Sequence, residues 1–433
     1  MLPHAPARSL RPTPRPTPRG PLSATVLLAS IVLAVSACGP DGASRTTSGT
    51  GTTLGVVEEL ASPAPPGSKT PFLIADDQGG AYLSWTEQRA DSSFAIRLAK
   101  WNGTVWDSAR TITADRPYFV NWADFPAIVR LDNGDLAAHW LEREGTGSYA
   151  YGVRVVRSSD QGRSWSAPVT PHTDGLLAEH GFVSLWAEGA GDVGVAWLDG
   201  RKSAMPDSTR EMTVRTAVVR ADGQLTREAV LDPRTCDCCQ TATARGSQGR
   251  VIVYRDRSDK DIRDIAIVRE VAGGWSTPVL VHADDWYYPG CPVNGPQVAA
   301  SGSTVVVAWY TAAHDTARVL LARSTDGGAT FGAPVRIDEG HPIGRVAVVL
   351  DGQAEPVVAW LEQRSPEEAE VLVRRVIGTT LSATRSLAKT SGARQSGFPR
   401  LAVQHDTLLA TWTTPKPASQ VHVARLSLSV SAR

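Results

Sequence analysis

Short apolar runs, each closing on an aromatic residue, recur along the chain between polar, glycine- and proline-rich stretches. They are Ala81-Tyr82-Leu83-Ser84-Trp85, Leu136-Ala137-Ala138-His139-Trp140, Val193-Gly194-Val195-Ala196-Trp197, Val251-Ile252-Val253-Tyr254, Val305-Val306-Val307-Ala308-Trp309, Val357-Val358-Ala359-Trp360 and Leu408-Leu409-Ala410-Thr411-Trp412. The closing aromatics are separated by 55, 57, 57, 55, 51 and 52 positions. The runs are continuous rather than alternating and rich in β-branched residues, which predicts strands buried on both faces. A shorter apolar strand precedes each, as in Phe125–Val129 or Phe398–Ala402, and a more polar one follows, as in Ile96–Lys100 or Ile265–Arg269. In most copies a fourth strand closes the unit.

Four strands in a repeat of about fifty residues is the arithmetic of a β-propeller blade. The last repeat shows only three strands, and Leu54–Leu60 stands before the first repeat as an unpaired outer strand. Pairing this segment beside Val421–Ser427 would close the ring and remove an exposed sheet edge. The expected fold is therefore an all-β propeller of seven four-stranded blades, closed by an N-terminal strand. Six blades with an irregular cap is the alternative count.

Two hairpins carry a sharper pattern, Ser-x-Asp-x-Gly-x-x-aromatic: Ser158, Asp160, Gly162 and Trp165, then Ser324, Asp326, Gly328 and Phe331. The Asp carboxylate can accept turn N–H groups, Gly supplies a positive φ, and the aromatic packs beneath. These turns resemble the Asp box of bacterial sialidases, and residues 54–430 are similar to the Asp-box (BNR-repeat) propellers of the sialidase superfamily. The resemblance implies structural turns between third and fourth strands, on the face opposite an active site. It implies glycoside hydrolysis less clearly. The family's Arg-Ile-Pro is absent, and no late Tyr nucleophile is found, because the last Tyr is Tyr310. Enzymatic activity is left open, and no residue is singled out as catalytic.

The face away from these turns is built from links between blades and from turns between second and third strands. Tyr118, Phe119 and Trp122 fall in one link and Trp286, Tyr287 and Tyr288 in another, as sugar stacking needs and as sealing of the hub also needs. Arg345 and Arg400 open inner strands and complete the ligand-binding candidates. An acid next to Arg repeats in the second-to-third turns: Glu87 with Arg89, Glu142 with Arg143, Asp199 with Arg201, Asp256 with Arg257 and Glu362 with Arg364. These pairs are expected to be salt bridges of the fold between neighbouring blades. The expected function is binding of a glycan or protein ligand on this face. A rearranged exo-sialidase-type hydrolase is the alternative, and a Cys/His metal protein the second alternative.

Residues 1–38 are expected to be a lipoprotein signal peptide. An apolar run, Ala24–Ala34, too short to span a bilayer, ends in Val35-Ser36-Ala37-Cys38-Gly39, similar to a bacterial lipobox with Cys38 as the lipidated residue. Residues 39–53 read as a flexible Gly/Ser/Thr linker and 54–433 as a single propeller domain. The long basic leader leaves a start downstream of Met1 open. The expected location is outside the cytoplasm, anchored by lipid to a bacterial membrane, preferably the outer membrane. Charge balances over the full chain at 44 basic and 44 acidic residues. Removing the leader, with Arg8, Arg11, Arg15 and Arg19, leaves 40 against 44, a net −4 that gives no support to nucleic-acid binding.

Beyond Cys38 the thiols are Cys236, Cys238, Cys239 and Cys291, placed by the repeat in two successive inter-blade links. One bridge from the first three to Cys291 is the expected disulfide of an exported protein. The other two thiols could form a strained vicinal ring, stay free, or take copper or zinc with a nearby His such as His282 or His314. Redox exchange ranks behind both. No motif dictates a cofactor.

Overall fold

The computed structural model describes residues 54–428 apart from 77, 190 and 207, so the leader, Cys38 and the linker lie outside the described residues. Seven antiparallel sheets follow one another along the chain. Blade one comprises Ser68–Ala75, Ala81–Gln88, Phe94–Trp101 and Arg110–Ala114; blade three comprises His180–Ala187, Val193–Asp199, Thr213–Val219 and Leu225–Asp232. Blade two has Ala127–Arg130, Leu136–Arg143 and Tyr151–Ser158, with a single Val155–Val169 bridge in place of its outer strand. Blade seven has Arg400–Gln404, Thr407–Thr414 and Gln420–Ser427, and its fourth strand is Glu58–Leu60. Glu58 pairs with Arg425 and Leu60 with Val423. The protein is a seven-bladed β-propeller closed by its N-terminal strand, as the repeat arithmetic predicts.

The second strand of each blade is mostly apolar, with Ser84, His139 and Thr411 as buried polar exceptions, because both its faces are covered by neighbouring blades. In blade five, Val305, Val307 and Trp309 pack with Val253 and Ile267 of blade four. The alternate residues Val306 and Ala308 pack with Val358 and Trp360 of blade six. The period-2 alternation of a strand thus feeds two separate cores. Seven such cores separate the seven blades, the last joining Leu409 and Val423 of blade seven to Leu83 and Trp85 of blade one. Each closing aromatic packs against the preceding blade and is buried.

Burying an indole or phenol requires a partner for its polar atom. Trp140 Nε1 donates to Glu142, Trp197 to Asp199 and Trp360 to Glu362, at 2.6–2.8 Å. Trp309 Nε1 and Tyr254 Oη instead donate to Asp284 and Asp232, which end the preceding blades. This corrects the expected acid–Arg pairing. Glu142 takes Arg116 and Arg154, Arg89 pairs with Asp115, and Arg364 pairs with Glu339 and Glu370. Among the described residues only Asp199 pairs with its own Arg, Arg201, and it does so within one blade rather than between blades. Glu142, Asp199 and Glu362 serve the indole two places earlier, and in Glu142–Arg143 strand alternation also turns the acid away from its Arg.

The two Ser-x-Asp-x-Gly turns join third to fourth strands in blades two and five. Asp160 accepts the N–H groups of Arg163 and Ser164, and Asp326 accepts that of Thr330. Ser158 and Ser324 each bridge the turn, donating to the Asp and accepting from Gly162 or Gly328.

The indole bonds are testable. Trp360 has its carboxylate partner, whereas buried Trp85 Nε1 has none among the described residues. Trp360→Phe should therefore cost about 1.5–3 kcal/mol more than Trp85→Phe in urea unfolding, the usual worth of a hydrogen bond to a charged group. Equal losses would show that the indole–carboxylate bonds contribute nothing.

Candidate functional site

The inter-blade links and second-to-third turns converge on one face of the ring. Several predicted residues turn out to seal its hub. The Trp122 ring lies 5.9 Å from Phe398, with the Arg345 guanidinium 4.8 Å above it. Arg345 is buried and donates to the carbonyls of Ala393, Gly392 and Gly397; burial lowers its pKa to about 10. Arg400 is wedged between the Phe72 and Phe125 rings, 3.3 Å from Gln297 Oε1, and burial lowers it to about 9. It lines a cavity of about 130 Å³ with Asp124 and Gln240. Tyr118 is half-buried, donates to Thr113, and its phenol is pushed by desolvation up to about 12.

The other aromatic link remains open. Trp286 is buried as a base, while Tyr287 and Tyr288 are 62% and 39% exposed. They border an open depression of about 430 Å³ with Asn294, Tyr310 and Asp315. Its floor is held rigidly. Asp264 accepts the N–H groups of Asp285 and Trp286, Tyr288 N–H donates to Asp261 O, and Arg263 Nε donates to Tyr288 O. Trp286 also stacks on Arg255 at 4.8 Å and meets Tyr310 edge-on at 5.7 Å.

Cys238 and Cys291 are joined in a disulfide, with Cα atoms 6.0 Å apart, that ties the links before blades four and five. Cys236 and Cys239 are free and buried. Burial and the bond it donates to Cys239 push the Cys236 thiol up. Cys239 also feels burial, but the Cys236 bond and the Arg255 charge outweigh it and hold this sulfur down. The ligand atoms of Cys236, Cys238 and Cys239 lie within 4.8 Å of one another. His282 and His314 do not join them. His282 Nδ1 is 2.7 Å from Asp284 on the outer strand, and His314 sits exposed in a short turn.

A second convergence was missed from sequence. Tyr151 Oη donates to Glu179 at 2.6 Å and lies 3.4 Å from Asp124 Oδ2, while Phe182 N–H donates to Asp124 Oδ1. Burial raises Asp124 well above the carboxylate range, with the Glu179 charge adding to it. Burial likewise raises Glu179 to about 7, and Asp237 contributes. The three residues come from two inter-blade links and one strand, so no spacing joins them. The one local signal is Gly181, where a Cβ would stand 2.0 Å from Asp124 Oδ2. Nearby, His172 and His180 stack at 3.8 Å, and His180 and Arg201 both approach Asp174 at 3.0 Å. The Arg201 guanidinium takes the place a cation would need.

No protein-family model matches the chain, and no curated protein does. Among solved structures, a protein of unknown function from Dyadobacter fermentans is similar at 16% identity, over 84% of this chain and 95% of that one, with a TM-score of 0.45. A GH93 α-L-arabinofuranosidase of Fusarium graminearum is similar at 14% identity, over 84% and 93%, with a TM-score of 0.47. The Hadza microbial sialidase Hz136 is similar at 14%, over 78% and 73%, with a TM-score of 0.48.

Glu179 sets a pH dependence. A carboxyl raised in the folded state contributes fully below its unfolded pKa of about 4.3, and its contribution is lost as pH rises towards about 7. Glu179→Gln should therefore gain about 1–3 kcal/mol on the wild type between pH 5 and pH 8, read from urea midpoints at each pH. A constant difference across that range would show that Glu179 titrates normally.

Proposed function

We propose that the protein is an envelope lipoprotein whose propeller binds a saccharide on the aromatic shelf of Tyr287 and Tyr288. The observation that carries this is the pair of exposed tyrosines over a pinned backbone, beside the depression that also holds Asn294 and Asp315. Exposed aromatic faces offer the apolar side of a sugar ring a partner, and neighbouring polar groups can take its hydroxyls. A backbone already held in place loses little freedom on binding. Trp122, Arg345 and Arg400 are assigned to the hub and not to the ligand.

Glycoside hydrolysis is a second reading, favoured by the Tyr151–Glu179 bond beside Asp124, whose burial pushes its carboxyl well above the usual range. A phenol, a carboxylate near neutrality and a carboxylic acid are the parts of such chemistry. It ranks second because Tyr151 and Asp124 are buried, with Phe119 stacked 3.8 Å over Tyr151.

A glycan array followed by titration of the retained saccharide tests the shelf. Tyr287→Ala and Tyr288→Ala should each weaken binding about tenfold, the worth of a stacked ring. No saccharide retained by the wild type would sink the proposal. Turnover of a fluorogenic glycoside that disappears in Glu179→Gln would transfer the conclusion to the second reading.

The lipoprotein half of the proposal rests on Val35–Gly39. Cys38→Ala should abolish labelling by a fatty-acid analogue and move the protein from the membrane to the soluble fraction. Unchanged membrane retention would refute the anchor.

A further inference from the structure

The two free thiols have no part in the saccharide reading, and their surroundings are unusual. Cys236 and Cys239 are 0% and 1% exposed and hydrogen-bonded to each other. Cys238 N–H points at Cys236 Sγ, and Asn294 N–H points at Cys239 Sγ. The sulfurs of Cys236 and Cys239 lie within 4.8 Å of each other, close enough for one ion to bridge them.

Of the two arginines beside the sulfurs, Arg263 pairs with Asp237 and Asp261, whereas Arg255 has no carboxylate partner among the described residues. Arg255 is 1% exposed, and all its hydrogen bonds go to backbone carbonyls, those of Asn294, Arg263 and Tyr310. Among the described residues no Asp or Glu forms an ion pair with it. A buried guanidinium calls for a nearby anion, and it faces Cys239.

We propose that Cys236 and Cys239 form a buried two-coordinate thiolate site for a soft monovalent cation, Cu(I). Binding displaces both S–H protons and leaves a bis-thiolate centre of charge −1, which the Arg255 guanidinium offsets. Soft thiolates select Cu(I), and a monovalent ion tolerates two ligands. Zn(II) would need four ligands and would leave a neutral centre beside an unbalanced Arg255. Neither candidate His comes within reach, and Cys238 is committed to Cys291. The disulfide forms the outer side of the site, with Cys291 exposed and Cys238 half-buried. The site is independent of the saccharide shelf.

The test is titration of the full chain, its disulfide intact, with Cu(I) held by bicinchoninate as a competing chelator. One Cu(I) per chain is expected. Cys236→Ser and Cys239→Ser should each weaken it at least a hundredfold, and the Cys238→Ser/Cys291→Ser double variant should retain it. X-ray absorption of the copper-loaded wild type should show two sulfur neighbours and no nitrogen, a readout that survives misfolding of any variant. No uptake against the chelator would overturn the proposal. So would uptake indifferent to Cys236 and Cys239, uptake that needs Cys238, or preferential one-to-one binding of Zn(II) by the same pair.

Discussion

Every blade depends on a second strand that has no solvent face. Because side chains alternate across a strand, Val305, Val307 and Trp309 belong to one inter-blade core while Val306 and Ala308 belong to the next. No blade owns a core of its own, so none could bury its apolar surface alone. Closure follows from this: the core between blades seven and one must be completed, and Glu58–Leu60 must cover the last sheet edge. The closing aromatics are among the largest pieces of each core, removing about 150–250 Å² apiece from water. Their indole and phenol polar atoms then decide where buried carboxylates go.

That constraint explains what was legible in the sequence. A strand covered on both sides must be apolar at most positions and must end on its large ring, so the repeat showed through at seven places. The Ser-x-Asp-x-Gly turns were legible because all their bonds are local, between Asp160 and residues three and four further on. The acid after each aromatic was visible too, but its partner was misassigned. Arg143, next to Glu142, points to the opposite face, whereas Glu142 shares a face with Trp140; alternation does not separate Glu362 from Arg364 two places on, yet Glu362 goes to the Trp360 indole and Arg364 to Glu339 and Glu370.

The ligand face was less legible because it is assembled from links that have no period. Asp124, Tyr151 and Glu179 meet only when blade two packs with its two flanking links, and their pKa shifts come chiefly from burial, which no local pattern encodes. The same holds for the arginines. Arg345 and Arg400 stand where a carboxylate-binding cluster would be sought, yet one is capped by three carbonyls and the other is held between two phenyl rings. Sequence position placed them near the axis; only packing shows that they fill it.

Arg255 joins the two parts of this face that remain available for chemistry. Its guanidinium lies under Trp286, whose link carries Tyr287 and Tyr288, and it donates to the carbonyls of Asn294 and Tyr310 at the edge of the same depression. On its other side it faces the Cys239 sulfur, and Asn294 reaches that sulfur through its N–H. The Cys238–Cys291 bridge fixes the link before blade four to the one before blade five, just where Arg255 spans them. Arg255 is thus a common structural support: it holds the Trp286 link by stacking and the Asn294 link through its carbonyl.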